Sequence, residues 1–182
     1  MAEATQREPN LEIRLVRPQE YEEAGRVTAG AYREFVPQDE AHQDWLEYLE
    51  MLADVAGRVD RTAVLVAVRD GRVLGCVTLE EDATVGDDDE RPEPGTTHVR
   101  MLGVDPSARG QGVGRALMLH TIERARLQGR RAVTLRTTEV MVAAHRLYGS
   151  LGFHRDVERD MVFDSGFRLI AYRLPLDDAG GD

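Results

Sequence analysis

Apolar residues along this chain alternate, run together or recur every three to four positions, and each change of pattern marks an element. Leu11, Ile13, Leu15 and Val16 read as a half-buried strand that stops at Pro18. Glu20 to Phe35 has the spacing of an amphipathic helix. After Pro37 a second helix is expected over about Asp39 to Arg58, with Trp45, Leu46, Tyr48, Leu49, Leu52 and Val55 on its buried stripe. Ala63 to Val68 is a continuous apolar run, Asp70-Gly71 are turn residues that tolerate positive φ, and Val73 to Leu79 is the return strand of a hairpin. Glu80 to Gly95, rich in acid, Pro and Gly, reads as an exposed connector. Thr97 to Val104 is expected as a strand, Gly112 to Gln128 as a helix closed by Gly129, Ala132 to Thr138 as a strand and Met141 to Leu151 as a helix. Two closing strands follow near Val157 to Phe163 and Phe167 to Leu174. The order βααβββαβαββ describes one α/β domain over residues 11–176 around a mixed sheet, with frayed tails at 1–10 and 177–182.

Composition narrows the chemistry. The chain has 182 residues and a formal net charge of -10, which disfavours a nucleic-acid partner bound through a global basic field. All 23 of its cationic side chains are Arg. Without a Lys there is no Walker A lysine, no Schiff-base lysine and no lysine nucleophile. One Cys and five scattered His offer no zinc-ligand spacing, so no metal site is expected. No apolar run approaches the roughly 18 residues of a membrane span, and the polar start of the chain makes the cytoplasm the default compartment.

The most informative stretch is Asp105-Pro106-Ser107-Ala108-Arg109-Gly110-Gln111-Gly112-Val113-Gly114-Arg115, which leaves a strand and opens a helix. Glycines let backbone N–H groups approach a ligand, a helix N-terminus adds unpaired donors, and Arg109 and Arg115 bracket the turn, so a pyrophosphate suits it. The dinucleotide pattern GxGxxG fails because Arg115 stands at its third glycine.

Arg109-x-x-Gly112-x-Gly114 resembles the acetyl-coenzyme A signature Q/R-x-x-G-x-G/A of the GCN5-related N-acetyltransferase (GNAT) superfamily. Ala144-x-x-x-Tyr148-x-x-x-Gly152-Phe153 is similar to that family's second hallmark. The resemblance implies a mostly antiparallel sheet of about seven strands, splayed between the fourth and fifth and flanked by about four helices. It implies acetyl-CoA as cosubstrate and transfer of acetyl to a primary amine, on a small molecule or a protein, in a ternary complex. It places the pantetheine arm on the backbone of Leu102 and Val104, beside a bulge near Gly103, with the Leu102 N–H as an oxyanion donor. The pyrophosphate falls to Arg109, Gly110, Gln111, Gly112, Val113 and Gly114, with Arg115 beside them.

Tyr148 occupies the position of the family's proton donor. His98 stands where many relatives carry a Glu base, with Glu80, Glu81 or a water chain as alternatives, and Met141 replaces a frequent Asn. The last two features motivate a second reading, a non-catalytic acyl-CoA sensor or interaction module of the same fold. Tyr32, Phe35, Trp45 and Tyr48 are either core or the wall of an acceptor pocket. The acidic connector is either a solvated loop or an attractor of a cationic acceptor. An exposed sheet edge or the final hairpin offers a homodimer contact.

Overall fold

The computed structural model describes residues 10–38, 42–81 and 93–176. The expected frayed tails and most of the acidic connector, 82–92, lie outside the described residues, as does the expected start of the second helix at 39–41. The strands are β1 (Glu12–Leu15), β2 (Ala63–Arg69), β3 (Arg72–Glu80), β4 (Thr96–Val104), β5 (Ala132–Thr137), β6 (His154–Arg155), β7 (Met161–Val162) and β8 (Arg168–Pro175). The helices are α1 (Tyr21–Tyr32), α2 (His42–Ala53), α3 (Val113–Leu127) and α4 (Val142–Ser150). The sheet runs β1-β2-β3-β4-β5-β8-β6, with β7 paired to β8, and every pairing is antiparallel except β4 with β5.

Both faces of this sheet are covered, which is why its central strands read as unbroken apolar runs. Successive side chains of a strand point to opposite faces. Leu65 and Ala67 of β2 therefore join Val113, Leu117, Met118 and Ile122 of α3 in one core. Val64, Val66 and Val68 join Ala24 and Val27 of α1 in the other. Leu117, Leu65 and Leu79 are at most 1% exposed, each worth about 1.5–3 kcal/mol of burial. The β2–β3 turn has φ of 51° at Asp70 and 76° at Gly71, as the sequence requires of that pair.

The helix around Asp39 to Arg58 is shorter than expected. Arg58 is not a helical residue but a cap: at 7% exposure its guanidinium donates to the carbonyl oxygens of Met51, Leu52 and Asp54 and to Thr78 Oγ1. The carbonyls of Leu52 and Asp54 at the end of α2 gain a partner in this way, and that of Met51, which also accepts the Asp54 N–H at 3.3 Å, gains a second. The strand expected over Val157 to Phe163 is also absent as such. A 3-10 turn at Val157–Arg159 separates β6 from β7. Asp160 explains the break, since its Oδ1 accepts the Ala171 N–H at 2.8 Å and its carboxylate takes both Nη groups of Arg155. A side chain thus does what strand backbone would have done. The result is eight strands rather than about seven, in an otherwise expected order.

Candidate active site

β4 and β5 share four rungs, Thr96–Ala132 to Val99–Leu135, and then part. Beyond Val99, β4 continues for five residues with no β5 partner, and β5 continues with β8 alone. The sheet is therefore forked where the sequence placed the splay. The break in β4 lies earlier than Gly103. Thr78 pairs Arg100 and Cys76 pairs Gly103, so the single residue Val77 faces both Met101 and Leu102. Met101 has φ of 54°, a left-handed conformation rare for a long side chain and costly outside a site that imposes it. Gly103 serves a different end: a Cβ there would lie 3.0 Å from Thr28 Cα and 3.2 Å from Ala31 Cβ, so glycine lets α1 pack against β4.

The extra residue changes which face each side chain takes. His98 and Arg100 line a cavity shared with Tyr32 and Tyr48, and Met101 packs with α1 and α2 residues. Leu102 and Val104 turn to the opposite core, with Val99 and α3. One strand thus supplies two compartments.

The larger compartment is a groove of about 370 Å³ along the open side of β4 and the start of α3. Of the ten cofactor residues expected from sequence, Leu102, Val104, Arg109, Gly110, Gly112, Val113, Gly114 and Arg115 line it. Gly103 instead faces α1. Gln111 is exposed, with Oε1 accepting from Arg69 at 2.9 Å and Nε2 donating to the Ser107 carbonyl. Gly110 and Gly112 have φ of 74° and 79°, with no atom within 4 Å of where a Cβ would stand. The Ala116 N–H is bonded to the Gly112 carbonyl. The N–H groups of Val113, Gly114 and Arg115 precede that first intrahelical bond and are available to an anion. Arg109 donates to Glu34 Oε1 at 2.6 Å and to the Ala31 carbonyl, and Arg115 donates to Ser150 Oγ. Two cations, a run of helix-start donors and an unpaired strand edge fit a pyrophosphate carrying an amide-bearing arm.

The smaller compartment, about 90 Å³, shares Tyr32 and Met141 with the groove and lies at the fork. Its polar lining includes His98, Arg100, Arg136, Thr137 and Thr138. His98 is 6% exposed, and its Nδ1 is hydrogen-bonded to Thr134 Oγ1 at 2.8 Å. Burial, followed by the charges of Arg136 and Arg100, lowers its pKa from 6.5 to about 3, so the imidazole is neutral. Arg100 donates to Glu80 Oε1 at 3.0 Å, and Arg136 Nε to the Arg159 carbonyl. Sequence reasoning passed over both arginines and Thr138. Each arginine is the one Arg, Lys, Asp or Glu of its strand, a pattern that could have flagged it. Tyr32 and Tyr48 line this cavity and Phe35 the groove, whereas Trp45 lines neither and packs edge-on against Tyr48.

Tyr148 shares α4 with the groove-lining Ala144 and Leu147 but is not among the residues that line the groove or the cavity at the fork. It is 5% exposed, with its ring centroid 5.8 Å from that of Phe153 and 5.9 Å from that of Tyr172. Burial raises its pKa, which keeps the phenol protonated at neutral pH. His145, one turn earlier, is structural. Its Nε2–H donates to the Thr138 carbonyl at 2.8 Å, so its Nδ1 accepts from the Tyr172 hydroxyl at 2.7 Å, which ties α4 to β8. The two alternative carboxylates diverge. Glu80 is buried beside Arg100, while Glu81 is held by Arg124 of α3 through two hydrogen bonds and lines neither compartment.

Comparison with known proteins agrees with this geometry. The human N-acetylaspartate synthetase is 40% identical over 113 residues, 60% of this chain and 33% of that protein. A mycothiol acetyltransferase of Sanguibacter keddieii is 32% identical over 153 residues, 81% of this chain and 44% of that protein. The chain therefore spans between about a third and just under half of the length of these relatives. The solved structure of the ribosomal-protein-S18-alanine N-acetyltransferase from Escherichia coli superposes with a TM-score of 0.66 at 19% identity, covering 95% of this chain and 98% of that one. PaiA N-acetyltransferase from Thermoplasma acidophilum, solved in complex with coenzyme A, gives 0.68 at 14% identity over 89% of this chain and 98% of that one. These similarities extend to the acetyltransferase (GNAT) family as a whole, whose model matches residues 25–153, and the chain belongs to that family.

Proposed function

We propose that this protein transfers acetyl from acetyl-CoA to a primary amine, with donor and acceptor meeting where the groove joins the cavity at the fork. The observation that carries this reading is the meeting itself. The glycine turn and the open β4 edge run into a small polar cavity through Tyr32 and Met141. A module that only bound acyl-CoA would not need that second compartment.

Acetyl-CoA supplies an acetyl group activated as a thioester. The helix-start N–H groups with Arg109 and Arg115 hold its pyrophosphate, and the backbone of Leu102 and Val104 pairs with its pantetheine arm. The acceptor nitrogen forms the new C–N bond as the C–S bond breaks, and the Leu102 N–H faces the negative charge that develops on the carbonyl oxygen. Tyr148 gives its proton to the departing sulfur, a role for which its protonated phenol is suited. His98, neutral and weakly basic, accepts a hydrogen bond from the amine and orients its lone pair rather than retaining its proton, which leaves to solvent.

The test is calorimetric titration with acetyl-CoA followed by thiol release with a panel of amines. Saturable binding with acceptor-dependent release supports the reading. Binding without release from any amine assigns the chain to the acyl-CoA sensor instead.

A further inference from the structure

A thioester oxygen that is gaining negative charge has lone pairs for more than one donor, and in the proposed transfer the Leu102 N–H supplies one. Tyr32, the last residue of α1, is placed to supply another. Among the described residues, only Tyr32 and Met141 line both the groove and the cavity at the fork, so Tyr32 stands where acyl donor and acceptor would meet. Gly103 sets that placement. A Cβ there would lie 3.2 Å from Ala31 Cβ, so the bare glycine brings α1 onto β4. Ala31 precedes Tyr32 and Leu102 precedes Gly103, so this contact of helix with strand lies one residue from each of two groove-lining positions.

The Tyr32 ring packs edge-on against Tyr48, with centroids 6.0 Å apart. Its hydroxyl has no hydrogen-bond partner among the described residues, whereas a tyrosine O–H shielded from water usually finds one. Desolvation by its surroundings, followed by the neighbouring Tyr48, pushes its pKa well above the ordinary tyrosine value, so the phenol stays protonated and is a donor.

We propose that Tyr32 is a catalytic residue whose O–H, together with the Leu102 N–H, holds the thioester carbonyl oxygen as negative charge develops on it. The proposal rests on the fork being the transfer site. Tyr32 keeps its proton throughout, so it duplicates neither Tyr148, which protonates the sulfur, nor His98, which orients the amine. The contact strengthens as the carbonyl carbon becomes tetrahedral, so it acts on kcat rather than on acetyl-CoA binding.

The test is Tyr32→Phe, which keeps the ring on Tyr48 and removes the hydroxyl. Calorimetry gives acetyl-CoA binding, and thiol release with a panel of amines gives kcat and acceptor KM. Difference infrared spectra of acetyl-CoA with an isotopically labelled carbonyl report polarisation of the bound C=O with no acceptor present. The wild-type band should lie below that of free acetyl-CoA, and the variant should return it part of the way. A fall in kcat of about 10²-fold is expected, with acetyl-CoA affinity and acceptor KM within about twofold of wild type.

A carbonyl band identical in the two proteins, or an unchanged kcat, would overturn the proposal. So would a loss confined to acceptor KM, which would make Tyr32 a wall of the acceptor cavity. A band that moves with the substitution, without thiol release from any amine, would support the carbonyl contact and remove the acetyl-transfer reading. Release with equal kcat in both proteins would do the reverse. Should the variant fail to fold, ortho-fluorotyrosine at position 32 decides: its hydroxyl is a stronger donor and should move the band further from the free position, and an unmoved band would overturn the proposal.

Discussion

His98 and Thr134 face each other across the third of the four rungs that join β4 to β5, and their side chains meet at 2.8 Å between Nδ1 and Oγ1. The pair sits one rung before the strands part, so the imidazole is walled by the sheet on one side and by Arg100 and Arg136 on the other.

This placement gives stability a pH dependence whose sign is fixed. The folded pKa of His98, about 3, lies below the unfolded value of 6.5. The unfolded chain therefore binds the proton first as pH falls. His98 contributes stability that is fully present above pH 6.5 and is lost progressively toward pH 3. The slope is at most about 1.4 kcal/mol per pH unit. Urea titrations at several pH values should show it, and the His98→Gln variant should show a flatter curve between these limits. An unchanged slope in that variant would assign the acid sensitivity to other groups.

Activity should show no free-enzyme titration of His98 near pH 6.5. A limb of kcat/KM that reports the acceptor amine should move when the acceptor is changed for one of different pKa. A limb fixed near 6.5 for every acceptor would mean that His98 is far more basic than its surroundings imply.

Tyr148→Phe keeps the ring that packs on Phe153 and Tyr172 and removes only the hydroxyl. A fall in kcat of about 10²-fold is expected, with acetyl-CoA binding retained. If kcat is intact in the variant, the departing thiolate takes its proton from water.

Gly112→Ala tests the turn that opens α3. The site has room for a Cβ, so its cost comes from holding alanine at φ 79°. That strain is about 1–2 kcal/mol. If the backbone relaxes to avoid it, the N–H groups behind it shift. Weaker acetyl-CoA binding by about tenfold is the expected reading, with acceptor KM little changed.

Arg58→Met isolates a structural role far from the chemistry. It leaves the carbonyls of Met51, Leu52 and Asp54 and the Thr78 hydroxyl without their shared donor. A loss of about 3 kcal/mol in unfolding free energy is expected from denaturation midpoints, with the denaturant slope unchanged. A loss under about 0.5 kcal/mol would show that the end of α2 recruits water at no net cost.

Sequence legibility followed the range of the interactions involved. The Asp70-Gly71 turn, the two-sided strands and the Arg109 to Gly114 cradle are specified by neighbouring residues, and their positions were readable within a few residues. The 3-10 turn at Val157–Arg159 depends on Asp160 meeting Arg155 and the Ala171 N–H across the fold, and no local pattern announces that. Arg58 resembled any helical arginine until the α2 terminus turned back on it. Arg100 and Arg136 are 36 positions apart and acquire joint meaning only because β4 and β5 part immediately before them. The bulge was expected near Gly103 because glycine permits irregular backbone, yet that glycine answers to α1 and the irregularity falls on Met101.

The single additional residue in β4 acts as a phase change within one strand. Upstream of it, His98 and Arg100 face the cavity at the fork; downstream, Leu102 and Val104, which an uninterrupted alternation would put on that same face, line the groove. The two sets share no side chain, so a replacement at His98 or Arg100 changes the lining of the cavity and leaves Leu102 and Val104 in place along the groove. Straightening the bulge without removing a residue would slip β4 by one position against β3 and turn Leu102 and Val104 to the face of His98 and Arg100, away from the groove.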